Sequence, residues 1–323
     1  MKTRLITYIP VYNGAEFIVQ TLQSVAEQTL KPDRVIVQDN LSTDKTEQLV
    51  KGFKGLNCEW QQNPKNLGWL GNANRGLDYA GETNYLHILC ADDVIRPTFY
   101  QRLVEALESC DGYGLGYTLD ERIDENNHRI SVSGPTTGIV EMQERERFLK
   151  EKAEIANQAI SASLLKTSYR TAACRFNPDF PSLADMIFWG EWGSHCNKIV
   201  RIHEPLGAFR WHGANNSDTF ILNLQDLVLD EWRVMEFLEK LRGASPSFIR
   251  QFKLKGLFAV RSGIKAKRFR QLNNTQYATQ ITTASRKITG PLAWYMGQAV
   301  VEARDLAIYK IGRRPRHRKN IFS

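Results

Sequence analysis

The chain has 323 residues, 42% of them apolar, enough to fill the core of one large domain or two small ones. No apolar run approaches the roughly eighteen residues of a spanning helix, and Met1-Lys2-Thr3-Arg4 leads into a strand-like run rather than a signal-peptide core, so a cytosolic protein is expected. The five cysteines (Cys58, Cys90, Cys110, Cys174 and Cys196) are scattered without C-x-x-C spacing, which argues against a disulfide framework or a zinc ribbon.

The net charge of +8 hides an asymmetry. From Arg250 onward about seventeen Lys and Arg face only Glu302 and Asp305, which leaves the preceding body at roughly −7. A basic end on an acidic body suggests an anionic partner for that end, phospholipid headgroups or nucleic acid.

Along the first hundred residues, short apolar runs that end in polar clusters alternate with stretches of helical spacing, the rhythm of a parallel sheet. Leu5 to Ile9 reads as a strand, and Ile18, Leu22 and Val25 form a helix capped at Asn13. Val35-Ile36-Val37 is a second strand, and a helix follows Ser42-Thr43-Asp44. An edge strand lies around Glu59-Trp60-Gln61, and Leu70, Ala73, Leu77 and Ala80 mark a third helix. Tyr85 to Cys90 is a strand ending at Ala91-Asp92-Asp93, and Pro97 opens the helix through Leu103 and Leu107.

Gly112 to Gly116 lacks the G-x-G-x-x-G spacing and reads as a turn, and no G-x-x-x-x-G-K-S/T is present. Beyond about Glu144 the alternation is lost: a charged helix runs through Phe148, a mixed stretch follows from Asn157 to Leu165, then an aromatic run from Phe180 to Trp192. A helix is expected from Leu222 to Leu241, and the chain after Ser245 is basic and helical. The polar residues that close the strands mark the edge where open α/β sheets bind ligands.

Asp92 and Asp93 follow a buried-looking strand directly, and two adjacent carboxylates repel unless a cation neutralises them. Mg²⁺ or Mn²⁺ takes oxygen ligands from one or two carboxylates and from substrate phosphates. The bland alternative is a helix cap.

Four motifs stand in order at the strand ends: Pro10-Val11-Tyr12-Asn13, Asp39-Asn40-Leu41-Ser42-Thr43-Asp44, Asn66-Leu67-Gly68 through Asn74-Arg75-Gly76, and Cys90-Ala91-Asp92-Asp93. In these the chain resembles the inverting glycosyltransferases of family 2, which have P-x-Y-N, D-D-G-S-T-D, N-x-G-x-x-x-A-R-N-x-G and D-x-D-D. The resemblance covers about the first 110 residues and implies a GT-A fold, an α/β class with a Rossmann-like mixed sheet and helices on both faces. It implies a nucleotide-sugar half at 1–125, an acceptor half at 126–220 and a helical basic extension at 221–323.

By the same resemblance Pro10, Val11 and Tyr12 contact the nucleoside, with Asn13, Asn66, Gly68 and Asn74 lining the donor site. Asp39 or Asn40 reads the base, Asp92 sits near the ribose, and Asp93 is the direct ligand of Mg²⁺ or Mn²⁺. Cys90 replaces the motif's first Asp, and Ala73 stands where an Arg often meets the diphosphate, a charge that Arg75 or Lys65 compensates. Leu183-Ala184-Asp185 to Trp189 resembles E-D-x-x-x-W and makes Asp185 the catalytic base, with Glu191 as runner-up. Phe209-Arg210-Trp211-His212 resembles Y-R-x-H, with Arg210 on phosphate and His212 on the metal. Phe180, Phe188, Trp189 and Trp192 form an acceptor platform or, more simply, core.

The expected function is metal-dependent transfer of a sugar from a nucleoside diphosphate, UDP or dTDP, to a glycan or lipid-linked acceptor in cell-surface polysaccharide synthesis. A partly amphipathic helix through Leu292, Tyr295, Met296, Ala299 and Val300, with the Arg-rich end, suggests peripheral attachment to the inner membrane face. The competing readings are a sugar nucleotidyltransferase, which usually has a Gly-rich basic loop after its first strand, and a non-catalytic glycan or nucleic-acid binder. The latter leaves Asp92, Asp93 and Asp185 unexplained.

Overall fold

A computed structural model describes residues 3–109, 111–154, 158–212, 224–243 and 247–310. The chain divides into two compact units, the first built from residues 1–152 and 156–212, the second from 153–155 and 213–323.

The first unit is a ten-stranded mixed sheet. Its N-terminal part follows the expected order: β1 (Thr3–Val11), α1 (Ile18–Ala26), β2 (Arg34–Asp39), α2 (Thr46–Gly52), β3 (Cys58–Gln62), α3 (Gly68–Gly76), β4 (Thr83–Ile88), β5 (Val94–Ile95) and α4 (Phe99–Glu108). β6 (Tyr113–Ile123), β7 (Arg129–Val132), β8 (Val140–Glu144), α5 (Arg145–Ala153), β9 (Ser163–Lys166), α6 (Ala184–His195) and β10 (Lys198–Arg210) complete it. The spatial order is β3-β2-β1-β4-β9-β6-β10-β5, with β7 on β6 and β8 on β10. The pairs among β3, β2, β1 and β4 are parallel. β9 runs against both β4 and β6, and β10 is parallel to β6, so the carboxyl ends of β1, β2, β4, β6 and β10 share one edge.

The alternation of β1 distributes its side chains between two cores. Leu5, Ile9 and Val11 join Val35 and Val37 under α1 and α4, while Ile6 and Tyr8 join Ile36, Leu86 and Ile88 under α3 and α6. Gly76 permits the second packing, because a Cβ there would stand 2.5 Å from the Tyr8 ring. Tyr8 in turn donates to the Asn72 carbonyl at 2.8 Å.

Two local expectations are corrected. Asn13 does not cap α1; it sits at φ 50° in the preceding loop, a conformation Asn tolerates, and its side-chain oxygen accepts from the Thr43 amide at 2.8 Å. Gly112 alone turns, at φ 95°, whereas Gly114 and Gly116 lie inside β6. There Cys196 and Tyr169 occupy the space a Cβ at 114 would need, and Leu103 and Leu107 crowd the same position at 116.

The second unit is helical: α7 (Leu224–Leu241), α8 (Phe248–Gln271), α9 (Thr275–Thr289) and α10 (Pro291–Lys310). Ser247 accepts from the Arg250 amide to cap α8, Asn274 caps α9 through Tyr277, and Gly290 closes α9 at φ 79°. Its core joins Val228, Met235, Leu254, Phe258, Phe269 and Ile281. Among the described residues no helix is long and apolar enough to cross a membrane.

β10 passes so close to the chain at Ala162 that a Cβ on Gly207 would lie 2.6 Å from the Ala162 Cβ and 2.7 Å from its Cα. Backbone cannot yield as a flexible side chain does, so Gly207→Ala should cost about 1–3 kcal/mol of unfolding free energy. Thermal denaturation checks this, and an unchanged Tm contradicts the close approach.

Candidate active site

The site begins where β4 ends. The Leu89 amide still donates to the Tyr8 carbonyl, the chain turns through Cys90 and Ala91, and β5 starts at Val94. Asp92 and Asp93, adjacent in sequence, take opposite environments. Asp93 is 1% exposed, and both its oxygens are engaged: Oδ2 accepts from the Ser161 hydroxyl at 2.6 Å and Oδ1 from the Arg210 amide at 2.9 Å. Ser161 also accepts from the Cys90 amide at 3.1 Å, and its carbonyl is 3.0 Å from His87 Nε2. The Thr21 hydroxyl reaches the carbonyls of Ala91 and Asp93, each at 2.8 Å. Burial, and after it the neighbouring Asp92 charge, pushes the Asp93 carboxyl well above the usual range.

Asp92 is partly exposed, and its Oδ2 lies 3.0 Å from His212 Nε2. His212 follows β10, and its ring centroid is 4.8 Å from that of Phe17. Arg210, expected on phosphate, has another task. Its side chain is wholly buried, with the guanidinium 4.7 Å over the Phe17 ring. Nε donates to the Asp92 carbonyl at 2.7 Å, Nη1 to the carbonyls of Asp124 and Glu125 at 3.1 and 3.3 Å, and Nη2 to Gln20 at 3.0 Å. Arg210 thus ties the aspartate loop to the turn after β6.

Cys90, Asp92 and Asp93 place their ligand atoms within 4.8 Å of one another. Burial, with the two carboxylates, pushes the Cys90 thiol up, and its soft sulfur is a poor ligand for a hard ion. Asp93 is buried, and each of its oxygens already accepts a bond from a protein donor. The donor set that fits a divalent ion is therefore Asp92 with His212, since neighbouring ligands at about 2.1 Å on an octahedral ion stand about 3 Å apart.

The neighbouring strand ends carry the other motif residues. Val11, Asp39 and Gln62 pair across β1, β2 and β3. Pro10 lies half-buried one residue earlier in β1. Asp39 is buried, accepting from the Ser42 amide at 3.1 Å and from Gln62 at 2.9 Å. Asn40 is buried too, donating to Asn66 at 2.8 Å and accepting from Asn63 and the Leu67 amide. Asn66 also accepts from the amide of Gly68, whose φ of 68° starts α3. Asn74 exchanges hydrogen bonds of 2.9 Å with the Phe176 backbone. These side chains brace the loops, and what they leave open is Tyr12, 53% exposed, with Asn13, Asn66, Gly68, Lys65 and Arg75.

Asp185 lies in the first turn of α6, with Oδ1 accepting from the Met186 amide at 2.9 Å. Burial raises its carboxyl to about 6, against the opposing pull of the Lys152 charge. Lys152 is itself buried, its ammonium 5.1 Å from the Phe148 ring centroid and 5.5 Å from that of Tyr117, and burial lowers it to about 7. Phe188, Trp189 and Trp192 are core, with the two indole N–H groups donating to the carbonyls of Gln158 and Gly114.

Residues 7–169 match the family model "Glycosyl transferase family 2", half of the chain, and the chain belongs to that family. An uncharacterized glycosyltransferase of Haemophilus influenzae is 25% identical over 215 residues, covering 65% of this chain and 66% of its own length. The chain thus spans just under two thirds of that relative. The teichoic acid poly(glycerol phosphate) polymerase of Staphylococcus epidermidis is 25% identical over 263 residues, 77% of this chain and 34% of the polymerase. Among solved structures, S. aureus TarS 1–349 in complex with UDP-GlcNAc aligns with a TM-score of 0.56 at 16% identity, over 89% of this chain and 92% of that one. The mannosyltransferase PcManGT from Pyrobaculum calidifontis, in complex with GDP-Man and Mn²⁺, gives 0.56 at 15% identity, over 97% and 83%. The fold is that of the GT-A glycosyltransferases.

Ser161, Thr21, Gln20, Phe17 and Lys152 escape sequence reasoning, since each is a single side chain that gains its role from a neighbour far away in the chain. Asp93, buried and bonded at both oxygens, and the partly exposed Asp92 make opposite demands on mutation. Asp93→Ala, leaving two buried donors unpaired, should lose about 2–5 kcal/mol of stability in denaturant unfolding. Asp92→Ala should lose less than about 1 kcal/mol while Mn²⁺ affinity falls. Equal destabilisation by both variants contradicts this division.

Proposed function

We propose that the chain transfers one sugar, with inversion, from a nucleoside diphosphate donor to a hydroxyl of a glycan or lipid-linked acceptor, in cell-surface polysaccharide synthesis on the cytoplasmic side. The observation that carries this reading is the Asp92–His212 pair, held 3.0 Å apart on the carboxyl edge of the sheet, the edge on which β1 ends before the exposed Tyr12. Support for the donor class comes from the UDP-GlcNAc and GDP-Man complexes of the structural neighbours, and support for Mn²⁺ from the second of them. The teichoic acid polymerase supports a cell-surface product. Uridine diphosphate is the donor proposed first, thymidine diphosphate the second.

Pro10, Val11 and Tyr12 take the face of the base, and Asp39 accepts its ring N–H by releasing Ser42 or Gln62. Asn13, Asn66, Gly68 and Asn74 shape the loops around it, and the exposed Arg75 and Lys65 serve the diphosphate. Asp92 and His212 hold the ion, with Asp93 and Arg210 fixing their loops. Bound there, Mg²⁺ or Mn²⁺ supplies positive charge against the departing diphosphate. Asp185 takes the proton from the acceptor hydroxyl as that oxygen attacks the anomeric carbon and the bond to the diphosphate breaks.

A base acts in its ionised form, and the Asp185 carboxyl is raised only to about 6. kcat/KM should therefore be level above pH 6 and fall about tenfold per pH unit below it. Asp185→Asn should lose about 10²–10⁴ in transfer rate and keep nucleotide affinity. Calorimetric titration with UDP, GDP and dTDP, with and without Mn²⁺, tests the reading as a whole. One nucleotide should bind in a metal-dependent way that Asp92→Ala abolishes; a well-folded protein that binds none of the three overturns it.

A further inference from the structure

A helix at the surface of a water-soluble unit normally shows an apolar face to its neighbours and a polar face to solvent. α10 departs from that rule. From Pro291 to Val301 it carries no charged residue. One side is spent on packing: Ala293, Trp294, Gly297 and Val301 are buried, and Gly297 approaches α8 so closely that a Cβ would meet Ala259 at 2.6 Å. The other side is apolar as well. Leu292, Tyr295, Met296 and Val300, spaced as i, i+3, i+4 and i+8, are 65, 58, 53 and 54% exposed, and Ala299 and Ala303 lie exposed between and beyond them. Among the described residues nothing covers this stripe.

Its surroundings are cationic. The Arg286 guanidinium lies 5.2 Å over the Tyr295 ring, and Lys287 and Arg304 are exposed. From α8 to the end of α10 the acids are Glu302 and Asp305, against Arg250, Lys253, Lys255, Arg261 and further cations along α8. Arg313, Arg314, Arg316, Arg318 and Lys319 continue the excess in sequence; their placement lies outside the described residues.

We propose that this face of α10 is an interfacial docking surface for an anionic phospholipid bilayer, independent of the sugar-transfer reading. The apolar side chains enter the headgroup–acyl boundary, and Arg286, Lys287 and Arg304 lie on lipid phosphates. The helix lies in the interface and does not span. A second copy of the chain fits less well, since a two-fold contact through this stripe sets the same cations against each other. Nucleic acid would meet apolar side chains at the centre of the surface, where its phosphates gain nothing.

The test is partition of the full chain onto vesicles of phosphatidylcholine with and without phosphatidylglycerol. Binding should require phosphatidylglycerol and weaken with salt. Met296→Glu/Val300→Glu should reduce it by about tenfold or more, and Arg286→Glu/Lys287→Glu should weaken it and lessen its dependence on phosphatidylglycerol. These positions are exposed, and unchanged thermal unfolding confirms that the variants fold. Absence of binding to anionic vesicles, or binding indifferent to the Met296/Val300 pair, overturns the proposal. So does light scattering that shows a dimer turned to monomer by that pair without vesicle binding, which assigns the face to a second copy.

Discussion

A buried carboxyl group needs partners for its oxygens, and the architecture of the sheet's carboxyl edge follows from how Asp93 meets that demand. Ser161, before β9, supplies one donor, and the backbone of Arg210, at the end of β10, supplies the other. Three segments distant in sequence thus converge on one side chain. Because Asp93 is turned inward, Asp92 is turned out, and because Arg210 is pinned, His212 two residues later arrives at Asp92. The buried guanidinium locks the arrangement by taking the carbonyls of Asp92, Asp124 and Glu125.

The rest of the edge uses the same economy, with polar side chains spent on holding loops so that backbone and a few exposed groups are left at the surface. Gln38, Asn63, Asn72 and Asn40 form a buried amide network between β2 and α3. Such a network holds its loops in one arrangement where its groups are paired, and all of these amide groups but the Gln38 Oε1 find a partner within it or on the neighbouring backbone. His87, pulled down to about 3 by burial, stays neutral and links Tyr100 to the Ser161 carbonyl, so the layer under the aspartate loop carries no competing charge.

What the sequence discloses here is what local pattern encodes. Apolar runs closed by polar clusters locate β1, β2 and β4 and the edge they share, and the four motifs point to the loops that gather there. Burial is less legible. Arg210 reads as a free charge because nothing nearby in the chain announces the carbonyls waiting for it. Asp92 and Asp93 are indistinguishable as letters, and which of them turns inward is decided by partners such as Ser161, 68 residues away. Lys152 sits in a charged helical pattern that suggests solvent, yet it is buried with its ammonium against the rings of Phe148 and Tyr117. Gly114 and Gly116 look like a turn because a strand glycine gives no local sign of the Tyr169 or Leu107 side chain that fills its place.

In the proposed reaction Asp93 positions its loop, and Asp92 with His212 would hold the ion. Soaking crystals of the protein with Mn²⁺ and UDP and mapping the anomalous scattering of manganese tests it most directly. The account predicts one peak in ligand contact with an Asp92 oxygen and His212 Nε2, with Asp93 still bonded to Ser161 and the Arg210 amide. A peak coordinated by Asp93, with its bond to Ser161 broken, would contradict it.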